Sequence, residues 1–255
     1  MYQSSDFPKM SNLLGRRILI TGTSRGLGLE MVKQLMKHHE PEKIFASCRN
    51  PEQAAQLKAI ATMDSRVHVL RIDVNDTESF SIAKKEVDNL TNGDGIHVLI
   101  NNAGIFSFES QSLEDISKEL MLEFYNVNTL GPILLVQTFL SLLLKGNANE
   151  KKPGLIVNFS SRLGSIADNS SGGYYASRCC RSAMNAATKS MSIDLKDKNI
   201  IAVGMNPGWV KTDQGGSSAP LTPEDSVSGI LKVLDDINED QAGKLLQHDG
   251  KVVEW

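Results

Sequence analysis

Short apolar runs separated by helix-length stretches organise this chain: Ile18–Ile20, Lys43–Ser47, Val67–Ile72, His97–Ile100, Leu155–Asn158 and Ile200–Met205. Runs of this kind are what strands buried on both faces look like, and the stretches between them are long enough for the crossovers that parallel strands require. Leu27, Met31, Leu35 and Met36 recur on a helical period, which predicts a helix over Gly26–Lys37. Further crossovers are expected over Pro51–Ala61 and Thr77–Leu90. Leu113–Leu144 is long enough for one long helix or two successive ones, stopped by the polar turn between Gly146-Asn147 and Pro153-Gly154. The Ser/Gly-rich loop Asn169–Gly173 then leads into a helix from about Tyr174 to Lys196. No internal repeat and no interdomain linker interrupts this alternation. The pattern predicts a single α/β domain over residues 15–255, a doubly wound parallel sheet with helices on both faces and ligands at the carboxyl ends of its strands. Residues 1–14 read as a flexible leader.

Composition narrows the class of partner. A chain of 255 residues with 27 basic and 30 acidic side chains, net charge -3, has no electrostatic bias toward nucleic acid or anionic lipid, so a small-molecule partner is expected. The N-terminal stretch lacks the continuous apolar core of a secretory signal. The apolar stretch Thr129–Leu144 is interrupted by Gly131, Pro132, Gln137, Thr138 and Ser141 and reads as too short and too polar to span a bilayer. Three cysteines, Cys48, Cys179 and Cys180, have neither zinc-site nor CxxC spacing, which fits a reduced cytoplasmic compartment. The five histidines lack metal-ligand spacing, so no metal site is expected.

Thr21-Gly22-Thr23-Ser24-Arg25-Gly26-Leu27-Gly28 follows the first strand directly and opens into a helix. Glycines at 22, 26 and 28 permit a tight turn, close backbone approach to a pyrophosphate and close helix–strand packing, and the helix N-terminus supplies amide donors. Ser24, Arg25 and Leu27 belong to the same loop. The second strand ends Ser47-Cys48-Arg49-Asn50, with no acidic side chain for a ribose 2′-hydroxyl. Arg49, helped by Arg25, would suit a 2′-phosphate instead, which predicts NADP(H) over NAD(H).

With Asp73-Val74 after the third strand, Asn101-Asn102-Ala103-Gly104 after the fourth and Asn206-Pro207-Gly208-Trp209-Val210 after the sixth, the chain resembles the short-chain dehydrogenase/reductase family over nearly its whole length. Gly164-Ser165-Ile166, Asn185–Ser190 and Pro207–Gly216 are similar to the sniffer-type carbonyl reductases and C-factor-like proteins within it. The resemblance implies a Rossmann-type fold, with Asp73 and Val74 at the adenine, Asn102, Ala103 and Gly104 lining the nucleotide cleft, and Pro207, Gly208, Val210 and Thr212 bordering the nicotinamide. It also implies a homodimer or homotetramer.

The family's Asn-Ser-Tyr-Lys arrangement is matched only in part. Asn128 and Ser161 stand at the Asn and Ser positions, but the helix after them opens Tyr174-Tyr175-Ala176-Ser177-Arg178-Cys179-Cys180-Arg181. Counting back from Ser182-Ala183-Met184-Asn185 puts Arg181 at the Lys position and Ser177 at the Tyr position. The other register reads Tyr174 as the acid beside Arg178, three residues out of step. A helix fixes which side chains share a face, and such a slip rotates them by roughly 60°, which favours the first register. A Ser hydroxyl is shorter and far less acidic than a phenol, so the first register implies a failed proton relay. Two functions follow: hydride transfer between NADP(H) and a carbonyl or alcohol substrate, or a catalytically silent nucleotide-binding sensor or scaffold. The substrate pocket is expected from the loops Phe106–Glu114 and Gly215–Pro223, the latter a candidate lid.

Overall fold

The computed structural model of the chain describes residues 14, 16–109, 111–148 and 153–255. The six expected strands form, as β1 (Arg17–Thr21), β2 (Lys43–Cys48), β3 (Val67–Arg71), β4 (Val98–Asn101), β5 (Gly154–Phe159) and β6 (Ile200–Asn206). Two short ones complete the sheet among the described residues, β7 (Leu245–Gln247) and β8 (Val252–Val253). Their spatial order is β3-β2-β1-β4-β5-β6-β7-β8, and every pairing is parallel except β7 with β8. Chain direction across the sheet reverses between β1 and β4, where both pair with each other in register Ile18 to Val98, and this is the crevice in which open α/β sheets bind ligands.

Because side chains alternate along a strand, consecutive residues of each strand feed two separate cores. Ile18, Ile20, Ile44, Val98 and Val157 pack with Met31 and Leu35 of α1 (Gly26–His38) and Ile230 and Leu234 of α7 (Pro223–Asp235). Leu19, Phe45, Leu99 and Ile156 pack on the other face with Phe80 and Val87 of α3 (Thr77–Leu90) and Leu135, Phe139 and Leu142 of α5 (Gly131–Ala148). Leu14 is fully buried in the first of these cores, so the fold has begun by that residue; the remainder of the expected leader, residues 1–13, lies outside the described residues.

Local chemistry sets the element boundaries. The Asp76 side chain accepts from the amides of Glu78 and Ser79 and starts α3 where the sequence places it. The expected helix at Pro51 divides into a 3-10 turn, Pro51–Gln53, and α2 (Ala55–Met63), since Ala54 leaves the helical region at φ -88°, ψ 61°. The stretch expected to be helical from Leu113 starts only at Lys118, where Ser117 caps α4 (Lys118–Tyr125). A π-helical segment, Asn126–Leu130, joins α4 to α5. The resulting helical run Lys118–Ala148 spans 31 residues and contains a window of mean hydropathy 1.7, so by length and composition it is sufficient to cross a bilayer, which corrects the sequence expectation. Of that window 56% is buried inside the domain, as a core helix would be. The last helix before β6 is α6 (Tyr175–Asp194).

Candidate functional site

The loop between β1 and α1 is built by backbone contacts. A Cβ at Gly28 would lie 2.2 Å from the carbonyl oxygen of Gly22, and one at Gly22, whose φ is +73°, would lie 2.8 Å from Cα of Ala103. Neither position admits a side chain without displacing main chain. Asn102 fastens this turn from the neighbouring strand: its Nδ2 donates to the carbonyls of Thr21 (2.8 Å) and Gly22 (3.1 Å), while the amides of Asn102 and Ala103 donate to Thr21 Oγ1. The Asn-Asn-Ala-Gly motif is therefore the second wall of the loop.

Helix α1 starts at Gly26 with no side-chain cap among the described residues, and Ser24, Gly26 and Leu27 are partly open to solvent. An uncapped N-terminus at the sheet's switch point fits a pyrophosphate, which would accept from the first-turn amides. At the end of β2, Arg49 is exposed. Arg25 is exposed as well, but its Nε lies 3.2 Å from Oδ2 of Asp213, so the guanidinium already has a counter-charge. Asp73 is half-buried and turns the chain after β3 by accepting from the Asn75 amide, whereas Val74 is buried in the α3–α5 core.

Past β6, Pro207 accepts from Ser226 Oγ, and the Gly208 amide donates to Asn206 Oδ1. Val210 pairs with Leu221, closing the base of a loop whose tip returns to the glycine turn. There Thr212 Cγ2 lies 3.6 Å from where a Cβ of Gly26 would be, and Gln214 Nε2 donates to the Gly104 carbonyl at 2.8 Å. The glycine turn, Asn102–Gly104 and Thr212 are thus brought together, while Val74 belongs to the core. Asp213 and Gln214, which the sequence had not singled out, link the loop after β6 to Arg25 and to the Gly104 carbonyl.

The second part of the site is made by side chains. The π-helical segment aims Asn128 at the strand β4 loop, where its Oδ1 accepts from the Ile105 amide (2.9 Å) and its Nδ2 donates to the Ile105 carbonyl (3.0 Å). Arg181 on α6 reaches the same carboxamide, with Nη2 3.2 Å from Asn128 Oδ1 and Nη1 2.7 Å from the Phe159 carbonyl. Gly104 leaves room for this meeting, since a Cβ there would be 2.9 Å from both Arg181 Nη2 and Asn128 Oδ1. Burial depresses the proton affinity of Arg181 below the usual guanidinium value, although a guanidinium stays charged in proteins.

Arg178 goes elsewhere. Its Nε donates to the carbonyls of Gly172 and Gly173 and its Nη2 to Ser171 Oγ, all on the loop that precedes α6. Tyr174 precedes the helix in the left-handed region, at φ 52°, with its ring stacked 6.0 Å from that of Phe106. Ser177, one turn before Arg181, is 3% exposed, and its hydroxyl has no hydrogen-bond partner among the described residues. Its amide donates to Oε1 of buried Gln111, a contact across 66 positions that no local pattern announces. Cys180 fills the space beneath Asn128, and burial raises its thiol pKa. Ser161 is half-buried and accepts from the Leu163 amide, capping the turn Arg162–Gly164. Asn128 and Arg181 therefore present a carboxamide and a permanent cation beside Ser177. Such a set can hold an oxygen by hydrogen bonds, but its hydroxyl and guanidinium do not titrate near neutrality.

The family model for short chain dehydrogenases matches residues 16–220. Among solved structures, the carbonyl reductase Sniffer of D. melanogaster superposes with a TM-score of 0.90 and 41% identity, covering 94% of this chain and 99% of that one. An NADPH-bound carbonyl reductase from chicken fatty liver gives 0.89 and 36% over 94% and 99%. The C-signal protein of Myxococcus xanthus is 37% identical over 160 residues, 63% of this chain and 93% of that protein. With the doubly wound sheet and the glycine loop in their expected places, the chain belongs to the short-chain dehydrogenase/reductase family.

Proposed function

We propose that this chain binds NADP(H) in the cleft between the glycine loop and the Asn102–Gly104 wall, and that it lacks the proton relay needed for efficient carbonyl reduction. The observation that carries this reading is the meeting of Arg181, rather than Arg178, with Asn128. It supports the first register, in which Ser177 stands where the family's phenol would be. A bound nicotinamide supplies or accepts hydride, which leaves the protein to move a proton at the substrate oxygen. Ser177 has too high a pKa and too short a reach for that task, and Arg181 holds its protons. What remains suits a nucleotide-binding sensor or scaffold whose cleft also admits a small carbonyl or alcohol.

The preference for NADP(H) rests on Arg25 and Arg49, both exposed, the first in the glycine loop and the second at the end of β2, and on the absence of an acidic residue in Ser47–Asn50. The NADPH-bound chicken relative is in keeping with it. Calorimetry with NADPH, run beside NADPH consumption over a panel of small carbonyls, tests the reading: binding without turnover is expected. Turnover that disappears in Tyr174→Phe would overturn it and make Tyr174 the acid.

A further inference from the structure

Two tethers hold the segment Thr212–Gly216 between the glycine turn and the loop after β4. Gln214 reaches one wall, at the Gly104 carbonyl (2.8 Å), and Asp213 reaches the other, at Arg25 Nε (3.2 Å). The segment is itself ordered from within: the Gly215 amide donates to Thr212 Oγ1, the Gly216 amide donates to the Thr212 carbonyl, and Trp209 Nε1 donates to the Gly215 carbonyl at 2.7 Å. Asp213 is thus presented to Arg25 by a closed loop rather than by a freely moving strand.

We infer that Asp213 is a specificity-determining residue, an internal stand-in for the 2′-phosphate at Arg25 that lowers the chain's affinity for NADP(H) while leaving NAD(H) untouched. The inference rests on the proposed nucleotide site. A carboxylate and a phosphate compete for the same guanidinium charge, and Asp213 already offsets it from the Nε side, so a 2′-phosphorylated dinucleotide meets that carboxylate when it engages Arg25. A dinucleotide with a free 2′-hydroxyl has no such competitor. The pair is exposed, 70% on the Arg25 side chain and 75% on Asp213, which limits its strength to that of surface ion pairs. The Gln214 tether does not involve Arg25, so the segment keeps its place when Asp213 lets go.

The test measures NADPH and NADH dissociation constants by calorimetry for the wild-type chain, Asp213→Asn, Asp213→Glu and Arg25→Ala/Asp213→Asn. Asp213→Asn is expected to tighten NADPH about two- to five-fold, the range of exposed ion pairs, with NADH unchanged. Asp213→Glu should resemble the wild type, and the gain should vanish without Arg25 and shrink in high salt. An equal change for both cofactors, no change in either, or a gain that persists without Arg25 overturns the role of Asp213 while leaving the nucleotide site intact. No binding of either cofactor by any form overturns both.

Discussion

The two halves of the cleft are built from different materials. The nucleotide half is mostly main chain: Gly22 and Gly28 press against carbonyl and Cα atoms, and Asn102 fastens them. The α6 half depends on which side chain stands at each position, and there Ser177 is a buried hydroxyl without a partner among the described residues while Arg181 donates to Phe159 and Asn128. A backbone site survives any substitution that preserves the turn. A side-chain site is altered by a single change even though the helix carrying it still forms, so the two halves answer differently to substitution.

The sharpest way to break this contrast is to rebuild the α6 half. Ser177→Tyr combined with Arg181→Lys should raise NADPH-dependent reduction of small carbonyls by about 10²-fold or more, the usual contribution of a placed general acid. If the double variant binds NADPH and stays inert in the same assay, that half has lost more than its proton donor. Next in size is the difference between two arginines three residues apart. Arg181→Leu takes a buried charged donor from the Phe159 carbonyl and leaves Asn128 Oδ1 with the Ile105 amide alone, and should cost about 3 kcal/mol in denaturant unfolding, whereas Arg178→Leu, at a loop on the surface side, should cost less than about 1 kcal/mol. Equal losses would undo the assignment of Arg181 to the site. In the nucleotide half, Gly28→Ala puts a methyl 2.2 Å from a carbonyl oxygen. It should lower stability by about 2 kcal/mol by overpacking and weaken NADPH at least about ten-fold, read by unfolding and calorimetry.

Periodicity showed the first six strands and the helix Thr77–Leu90, because Asp76 caps where the apolar repeat begins. It did not show α7, β7 or β8, the strands being three and two residues long, too short for a period to register. The Leu113 boundary failed because apolar spacing continues upstream of Ser117, the residue whose side chain starts α4. In the site, the glycine loop was legible because tight turns restrict residue type. Between Arg178 and Arg181 the helical period already favoured Arg181, and the acceptors around the two side chains agree with that register. Gln111, Asp213 and Gln214 carried no signal, because their partners lie 66, 188 and 110 positions away.

The widened helical segment at Asn126–Leu130 has a consequence for the whole layer. An α-helix turns 100° per residue, so each residue inserted or removed swings everything downstream by about that angle. Phe124, ahead of the segment, faces Ala176 and Cys180, whereas Leu135, Phe139 and Leu142, behind it, face the sheet. The wide turn works as a gear between two walls that one regular helix would meet out of phase. Removing a single residue there would turn the apolar stripe of α5 away from the strands and carry Asn128 out of reach of Arg181, coupling the centre of the domain to the geometry of its cleft.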